Sequence, residues 1–194
     1  MNRFSILLIA LFLLSGTVAA DASAQSREGF FIGLDLGGLG VSSAEDDEAG
    51  SGFGGGFDIG YGFSERFALV LGAHGAEVDN DVTDDGTATA AAGYLAGRVN
   101  FGKREGALNG FVQLGGGAGS YEGDVLDTNV TFEGPAGLFG AGVTYFVSPN
   151  WMLMGSLDFY GIEFEEVSVG GLSADISFDG NYAFFGVGIR YMIR

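Results

Sequence analysis

The chain has no cysteine and only two prolines in 194 residues. No disulfide can hold it together, and little in it interrupts continuous backbone pairing. Past its first residues it also lacks any apolar run near the ~20 residues that a transmembrane helix requires. Basic residues are scarce, with 8 Lys and Arg against 25 Asp and Glu. Without a basic patch to neutralise phosphates, nucleic acid is excluded as a partner. What the chain has instead is 37 glycines and 18 phenylalanines. So much aromatic surface drives collapse, so order is expected nearly throughout.

The opening MNRFSILLIALFLLSGTVAADASAQ has a positive start at Arg3, an apolar run from Ile6 to Leu14, and Ala22 and Ala24 in an A-x-A arrangement. This is the pattern of a secretory signal peptide. Cleavage is expected after Ala24, with Val18-Ala19-Ala20 as a second acceptable site. Residues 1–24 are then leader and 25–194 one domain. A chain that enters a bilayer without a spanning helix does so as a closed β-barrel, in which every backbone group finds a partner.

The rest of the chain alternates with period two, the signature of strands. Phe30, Ile32, Leu34 and Leu36 share one face, with Gly33, Asp35 and Gly37 on the other. The pattern stops over Val41 to Gly52 and returns with Phe57, Ile59, Tyr61 and Phe63 against Asp58 and glycines. A short connection at Ser64-Glu65 leads to Phe67, Leu69, Leu71 and Ala73 opposite His74. After the stretch Glu77 to Thr87, Leu95, Gly97, Val99 and Phe101 oppose Tyr94, Ala96, Arg98 and Asn100. A turn at Gly102 to Gly106 precedes Val112 and Leu114 opposite Phe111 and Gln113. Ser120 to Pro135 reads as a third long loop, followed by Phe139, Ala141, Val143 and Tyr145 opposite Leu138, Thr144 and Phe146. Beyond the turn Ser148-Pro149-Asn150, Trp151, Leu153, Leu157 and Phe159 oppose Met152, Met154, Ser156, Asp158 and Tyr160. Glu163 to Gly180 reads as a fourth long loop. The last strand sets Phe185, Val187, Ile189, Tyr191 and Ile193 against Phe184, Gly186, Gly188, Arg190 and Met192.

Eight strands of roughly ten residues, with long loops alternating with short turns, match the layout of small outer-membrane barrels. The expected fold is all-β: an eight-stranded antiparallel up-and-down transmembrane β-barrel with four long external loops and three short periplasmic turns. An even strand count puts both chain ends in the periplasm. Trp151, Phe63, Phe67, Phe101, Tyr145 and Tyr191 fall near the short turns, as an interfacial girdle would.

A soluble eight-stranded barrel would turn its apolar face inward, so volume must decide which face is outside. The apolar parity carries most of the bulky side chains, too many for the narrow interior of eight strands. The other parity is largely glycine and alanine, with Asp35, Asp58, Arg98, Asp158 and Arg190 as its charges. A solvated surface is not built that way. Leu34, Ile59, Leu69, Val99, Leu114, Val143, Leu157 and Val187 are therefore expected to face lipid.

On these residues the chain resembles the eight-stranded bacterial outer-membrane barrels represented by OmpX, the membrane domain of OmpA and the opacity proteins. The last strand resembles the C-terminal signal by which the barrel assembly machinery recognises that family, with Gly188, Tyr191 and Ile193 at the matching spacing. The family's terminal aromatic residue is replaced here by Ile193-Arg194. The resemblance implies a monomeric outer-membrane protein in contact with lipid and lipopolysaccharide. It implies no cofactor and carries no catalytic fingerprint.

The acidic residues concentrate in the stretches read as external loops: Glu45, Asp46, Asp47 and Glu48; Glu77, Asp79, Asp81, Asp84 and Asp85; Glu122, Asp124, Asp127 and Glu133; and Glu163, Glu165, Glu166, Asp175 and Asp179. None of these stretches holds a lysine or arginine. Such loops either keep barrels apart or present carboxylates to divalent cations of lipopolysaccharide, to host surface proteins or to both. The segment DNDVTDDG imitates a calcium loop, but Thr83 and the missing twelfth-position glutamate break the EF-hand pattern. The inward charges must be paired or hydrated, and closure of the first strand on the eighth suggests Asp35 with Arg190. His74, the one histidine, is expected to be a structural lumen residue. A lipid A-modifying barrel resembling PagL would need a serine and an acid beside it. The function expected is structural and surface-interacting, without enzymatic activity. A small diffusion channel resembling OmpW is the alternative, given the many inward glycines.

Overall fold

The computed structural model describes residues 26–43, 49–80, 86–102, 107–125 and 128–193. They form eight strands: β1 (Gly29–Ser43), β2 (Ala49–Gly62), β3 (Phe67–Asn80), β4 (Gly86–Phe101), β5 (Leu108–Val125), β6 (Thr128–Phe146), β7 (Trp151–Val169) and β8 (Leu172–Ile193). Each pairs antiparallel with the next, and β8 returns to β1 from Phe30↔Ile193 to Ser43↔Gly180, closing the barrel. Closure removes the free edges that an open sheet would expose in a bilayer.

The alternation sets which side chains fill the interior. Phe30, Ile32, Leu34 and Leu36 point outward on β1 while Phe31, Asp35 and Leu39 are buried. An eight-stranded barrel has an interior about as wide as its inward side chains, and here every strand contributes buried residues to it. Two of the short turns at one end are held by local hydrogen bonds, and residues 103–106 of the third lie outside the described residues. Ser64 Oγ accepts from the backbone N–H of Arg66 at 3.3 Å and Phe67 at 3.2 Å. Ser148 Oγ accepts from Trp151 N–H at 3.2 Å. Trp151 and Tyr191 stand beside this end with ring centroids 4.8 Å apart.

The opposite end departs from the expected layout of four long loops. The strands run 14 to 22 residues rather than about ten. Ser120 to Pro135 is mostly ladder, paired from Val125↔Thr128 onward. The stretch Glu163 to Gly180 is a hairpin closed by a two-residue turn, Gly170 and Gly171, between Val169 and Leu172. Both glycines have positive φ, 57° and 87°, the condition of the tight turn that matches strand twist and one that side chains with a Cβ resist. Of the other two expected loops, Val41 to Gly52 and Glu77 to Thr87, residues 41–43, 49–52, 77–80 and 86–87 are strand, and 44–48 and 81–85 lie outside the described residues.

Candidate functional site

At mid-height the lumen is crossed by a layer of charges. Arg190 on β8 sits opposite Gly33 on β1, which in turn sits opposite Asp58 on β2. A Cβ at Gly33 would strike both the Asp58 carboxylate and the Arg190 side chain, so the missing side chain is what lets the two meet over it. Arg190 Nε donates to Asp58 Oδ1 at 3.1 Å, and its Nη2 donates to Oδ2. The expected partner, Asp35, lies two residues along β1, and neither of its carboxylate oxygens has a hydrogen-bond partner among the described residues. Register explains the correction: the residue level with Arg190 on its neighbour is glycine, so the guanidinium reaches one strand further.

The layer continues across the barrel. Arg98 Nη2 stands 3.9 Å from Asp58 Oδ2. Its Nε and Nη2 both donate to Gln113 Oε1, at 3.0 and 2.6 Å, and Gln113 Nε2 donates to Asp158 Oδ1 at 2.6 Å. The Phe111 ring lies 4.2 Å from the Arg98 guanidinium carbon. Asp58, Arg98, Asp158 and Arg190 are each at most 4% exposed. Removing one member of such a buried set leaves an uncompensated charge, typically a loss of about 3–5 kcal/mol.

Toward the hairpin end the charges give way to rings. His74 stacks on Phe184 at 4.0 Å, and its Nδ1 shares a 2.6 Å hydrogen bond with the Tyr160 hydroxyl. Tyr94 completes the group. Toward the short turns, Phe146, Met152 and Met192 are buried across the lumen. Three successive layers thus fill the interior: apolar, charged and aromatic. His74 is closed off from solvent, and its hydrogen-bond partner is a tyrosine in place of the serine that a lipid A-modifying site resembling PagL would need.

Outside, Leu34, Ile59, Leu69, Leu114, Val143, Leu157 and Val187 are exposed, and Val99 is half-buried. Gly188, Tyr191 and Ile193 lie in the β8 ladder that closes on β1. Above this apolar band the outward side chains change. On β7, Phe159 is followed outward by Glu163 and Glu165, and on β8 Phe185 is preceded by Asn181, Asp179 and Asp175. Glu133, Glu166 and Asp175 occupy one cross-strand row, and Glu163 pairs with Asp179 in another. Inside this upper wall Phe132, Phe164 and Phe178 pack together, with Phe164 and Phe178 stacked at 4.9 Å. An open cleft of about 570 Å³ lies alongside, with Ala91, Gly93 and Ala118 at its floor and Glu133, Glu166 and Asp175 on its wall.

Of the candidate cation ligands, Glu45, Asp46, Asp47, Glu48, Asp81, Asp84 and Asp85 lie outside the described residues. Asp79 is exposed near the end of β3. Among the described residues no group of three or more acidic or histidine side chains is arranged to hold a metal ion. Sequence reasoning missed Gln113 as the link between Arg98 and Asp158, and missed the tyrosines around His74. Their inward parity was the available signal. It also missed Arg27, which folds beneath the barrel from the segment before β1.

Among solved structures the chain is similar to Neisserial surface protein A, at 14% identity and a TM-score of 0.66, with 86% of this chain and 98% of that one covered. It is also similar to Ail, the attachment invasion locus protein of Yersinia pestis, at 14% identity and a TM-score of 0.53, covering 84% and 99%. The outer membrane protein OprG of Pseudomonas aeruginosa gives 12% identity and a TM-score of 0.52 over 88% and 99%. These likenesses show the fold. No functionally curated protein matches the chain in sequence. The model of the outer membrane protein beta-barrel domain matches residues 8–192, and the chain belongs to that family, as a protein of the bacterial outer membrane.

Proposed function

We propose that this barrel is a non-conducting, non-enzymatic surface protein that binds cationic, extended partner segments on its protruding outer sheet. The observation that carries the reading is the β7–β8 hairpin. Leu172 to Asp179 extends past the last β1–β8 pair, Ser43↔Gly180, so its backbone on that side has no strand partner among the described residues. An unpaired strand edge invites a further strand by backbone hydrogen bonding. The side chains beside it select for charge: Glu163, Glu165, Glu166, Asp175 and Asp179 are exposed, and no base lies between Glu163 and Gly180. Carboxylates facing one another across a ladder repel, and a basic segment or shared divalent cations would relieve them.

The same reading includes removal of the leader after Ala24, an outward lipid-facing band, recognition of the Gly188, Tyr191 and Ile193 end by the assembly machinery, and a monomeric barrel whose hairpins face outside the cell. The three filled layers of the lumen support absence of steady ion flow. Stable conductance steps in a planar bilayer would favour a channel instead.

The binding test uses the barrel refolded in detergent and a fluorescent oligolysine. Binding is expected, weakening as salt screens the charges. Replacing Glu133, Glu166 and Asp175 by their amides should lower affinity about tenfold, three rim charges each contributing about 0.5 kcal/mol. Equal affinity in the triple variant would contradict the proposal. Loss of binding on adding Mg²⁺ at constant ionic strength would show that divalent cations occupy the same carboxylates.

A further inference from the structure

The outer edge of β8 offers more than unpaired backbone and negative charge. From Leu172 to Asp179 the strand alternates without exception: Ser173, Asp175, Ser177 and Asp179 hold the outward parity, and Leu172, Ala174, Ile176 and Phe178 hold the inward one. The outward set is polar and exposed. Across the hairpin its acids meet further acids, Asp179 with Glu163 and Asp175 with Glu166. The inward set is apolar but incompletely covered. Phe178 stacks on Phe164 at 4.9 Å and Ile176 packs against the core, yet both stay half-buried, and Leu172 at the tip is 80% exposed. Just below, the inner side of β1 carries Val41, also half-buried. The edge therefore presents an apolar row on one face and an acidic row on the other, with no strand partner among the described residues. A strand laid against it would continue both faces of the sheet.

We infer that the partner segment is a β-strand of alternating basic and apolar residues, its basic side chains outward beside Asp175 and Asp179 and its apolar ones inward on Ile176, Phe178 and Val41. This rests on the cationic binding proposed for the edge and adds the pattern that such a segment must have. Charge sets one parity, since opposite charges attract across a ladder and like charges repel. The same rule disfavours a second copy of the hairpin, which would set Asp175 and Asp179 against an identical row of acids. Burial sets the other parity. A polar side chain turned inward would face Ile176 and Phe178 without a hydrogen-bond partner, whereas a valine or isoleucine there removes apolar surface from water on both sides. A uniformly basic segment satisfies only the outward half. Because side chains alternate with period two, a slip of one residue would exchange the two faces, so the pattern also restricts the partner's register.

Fluorescent peptides of equal length and composition separate pattern from charge. One repeats Lys-Val, and the other repeats Lys-Lys-Val-Val, which puts lysine and valine on both faces of a strand. Barrel refolded in detergent should bind the first about tenfold more tightly, through several matched cross-strand pairs that the second leaves mixed. Ile176→Thr, still β-branched, should narrow that ratio and leave the affinity for oligolysine unchanged. Methylating the backbone amides of either the lysines or the valines tests the edge itself. Amides of successive residues point to opposite edges of a strand, so one methylated Lys-Val peptide should lose binding and the other should keep it. Equal affinity for the two repeats while oligolysine still binds would overturn the pattern and leave the cationic reading standing. If oligolysine and both repeats fail to bind, both readings fall. Binding kept by both methylated peptides would overturn strand addition, and barrels that dimerise through the hairpin in place of binding the Lys-Val repeat would assign the edge to a second copy.

Discussion

Strand β7 holds two different proteins in one ladder. From Trp151 to Phe159 its outward side chains are apolar and its inward ones include Ser156 and Asp158. From Tyr160 to Phe164 the inward side chains are Tyr160, Ile162 and Phe164, and the outward ones are Gly161 and Glu163. From Trp151 to Phe164 the side-chain alternation is continuous, with the register against β6 and β8 shifting only past Ile162 and Phe164, and it is the surrounding solvent that inverts. Where hydrocarbon lies outside, apolar residues face out and the interior tolerates a charge network. Where water lies outside, the same wall packs like a soluble sheet, aromatic within and acidic without. β8 repeats the inversion, with Phe185 outward below and Phe178 turned inward above.

Breaking the lower region should cost most. Asp58→Ala leaves Arg190 and Arg98 facing each other across a dry lumen, and a loss of about 3–5 kcal/mol in the urea midpoint of detergent-folded barrel is expected. A loss near zero would mean that water reaches the layer. Next comes the face assignment. Leu157→Arg places a charge in the apolar band at an expected cost of about 2–4 kcal/mol in vesicles, whereas arginine at the exposed Glu165 should be nearly neutral. Equal effects at the two positions would erase the boundary drawn between them. Gly171→Ala forces a Cβ into the left-handed region and should weaken the hairpin by about 1–2 kcal/mol. That change should appear as faster amide exchange near Ser168 and Leu172, with the barrel midpoint unmoved. The smallest effect is a gain. Glu166→Gln removes repulsion from Glu133 and Asp175 in its row and should slow exchange of the hairpin amides by an amount corresponding to about 0.2–1 kcal/mol.

The inversion also explains what the sequence disclosed and what it hid. Below the boundary, large outward residues at Phe30 to Leu36 or Phe185 to Ile193 alternate with glycines, so strand number, order and facing are readable. Above it the outward residues become Glu163, Asp175 and Asp179, and the stretch resembles a loop although Phe164 and Phe178 still keep the period. Two further features depended on three-dimensional register. Arg190 meets Asp58 because Gly33 lies between them, and no linear spacing carries that information. Arg27 lies outside every strand, and only folding beneath the barrel brings it to the lumen.

The central claim is that the sealed barrel and the recognition surface are separable parts of one ladder. Joining Ile162 to Gly180 through a two-glycine turn, at a pair already opposite in β7 and β8, removes the hairpin and keeps the ring closed. The shortened protein, refolded beside wild type and titrated with oligolysine, should still migrate as a compact species on gels until boiled and should no longer bind the peptide. A shortened barrel that binds as tightly as wild type, or that cannot form the compact species, would contradict the account.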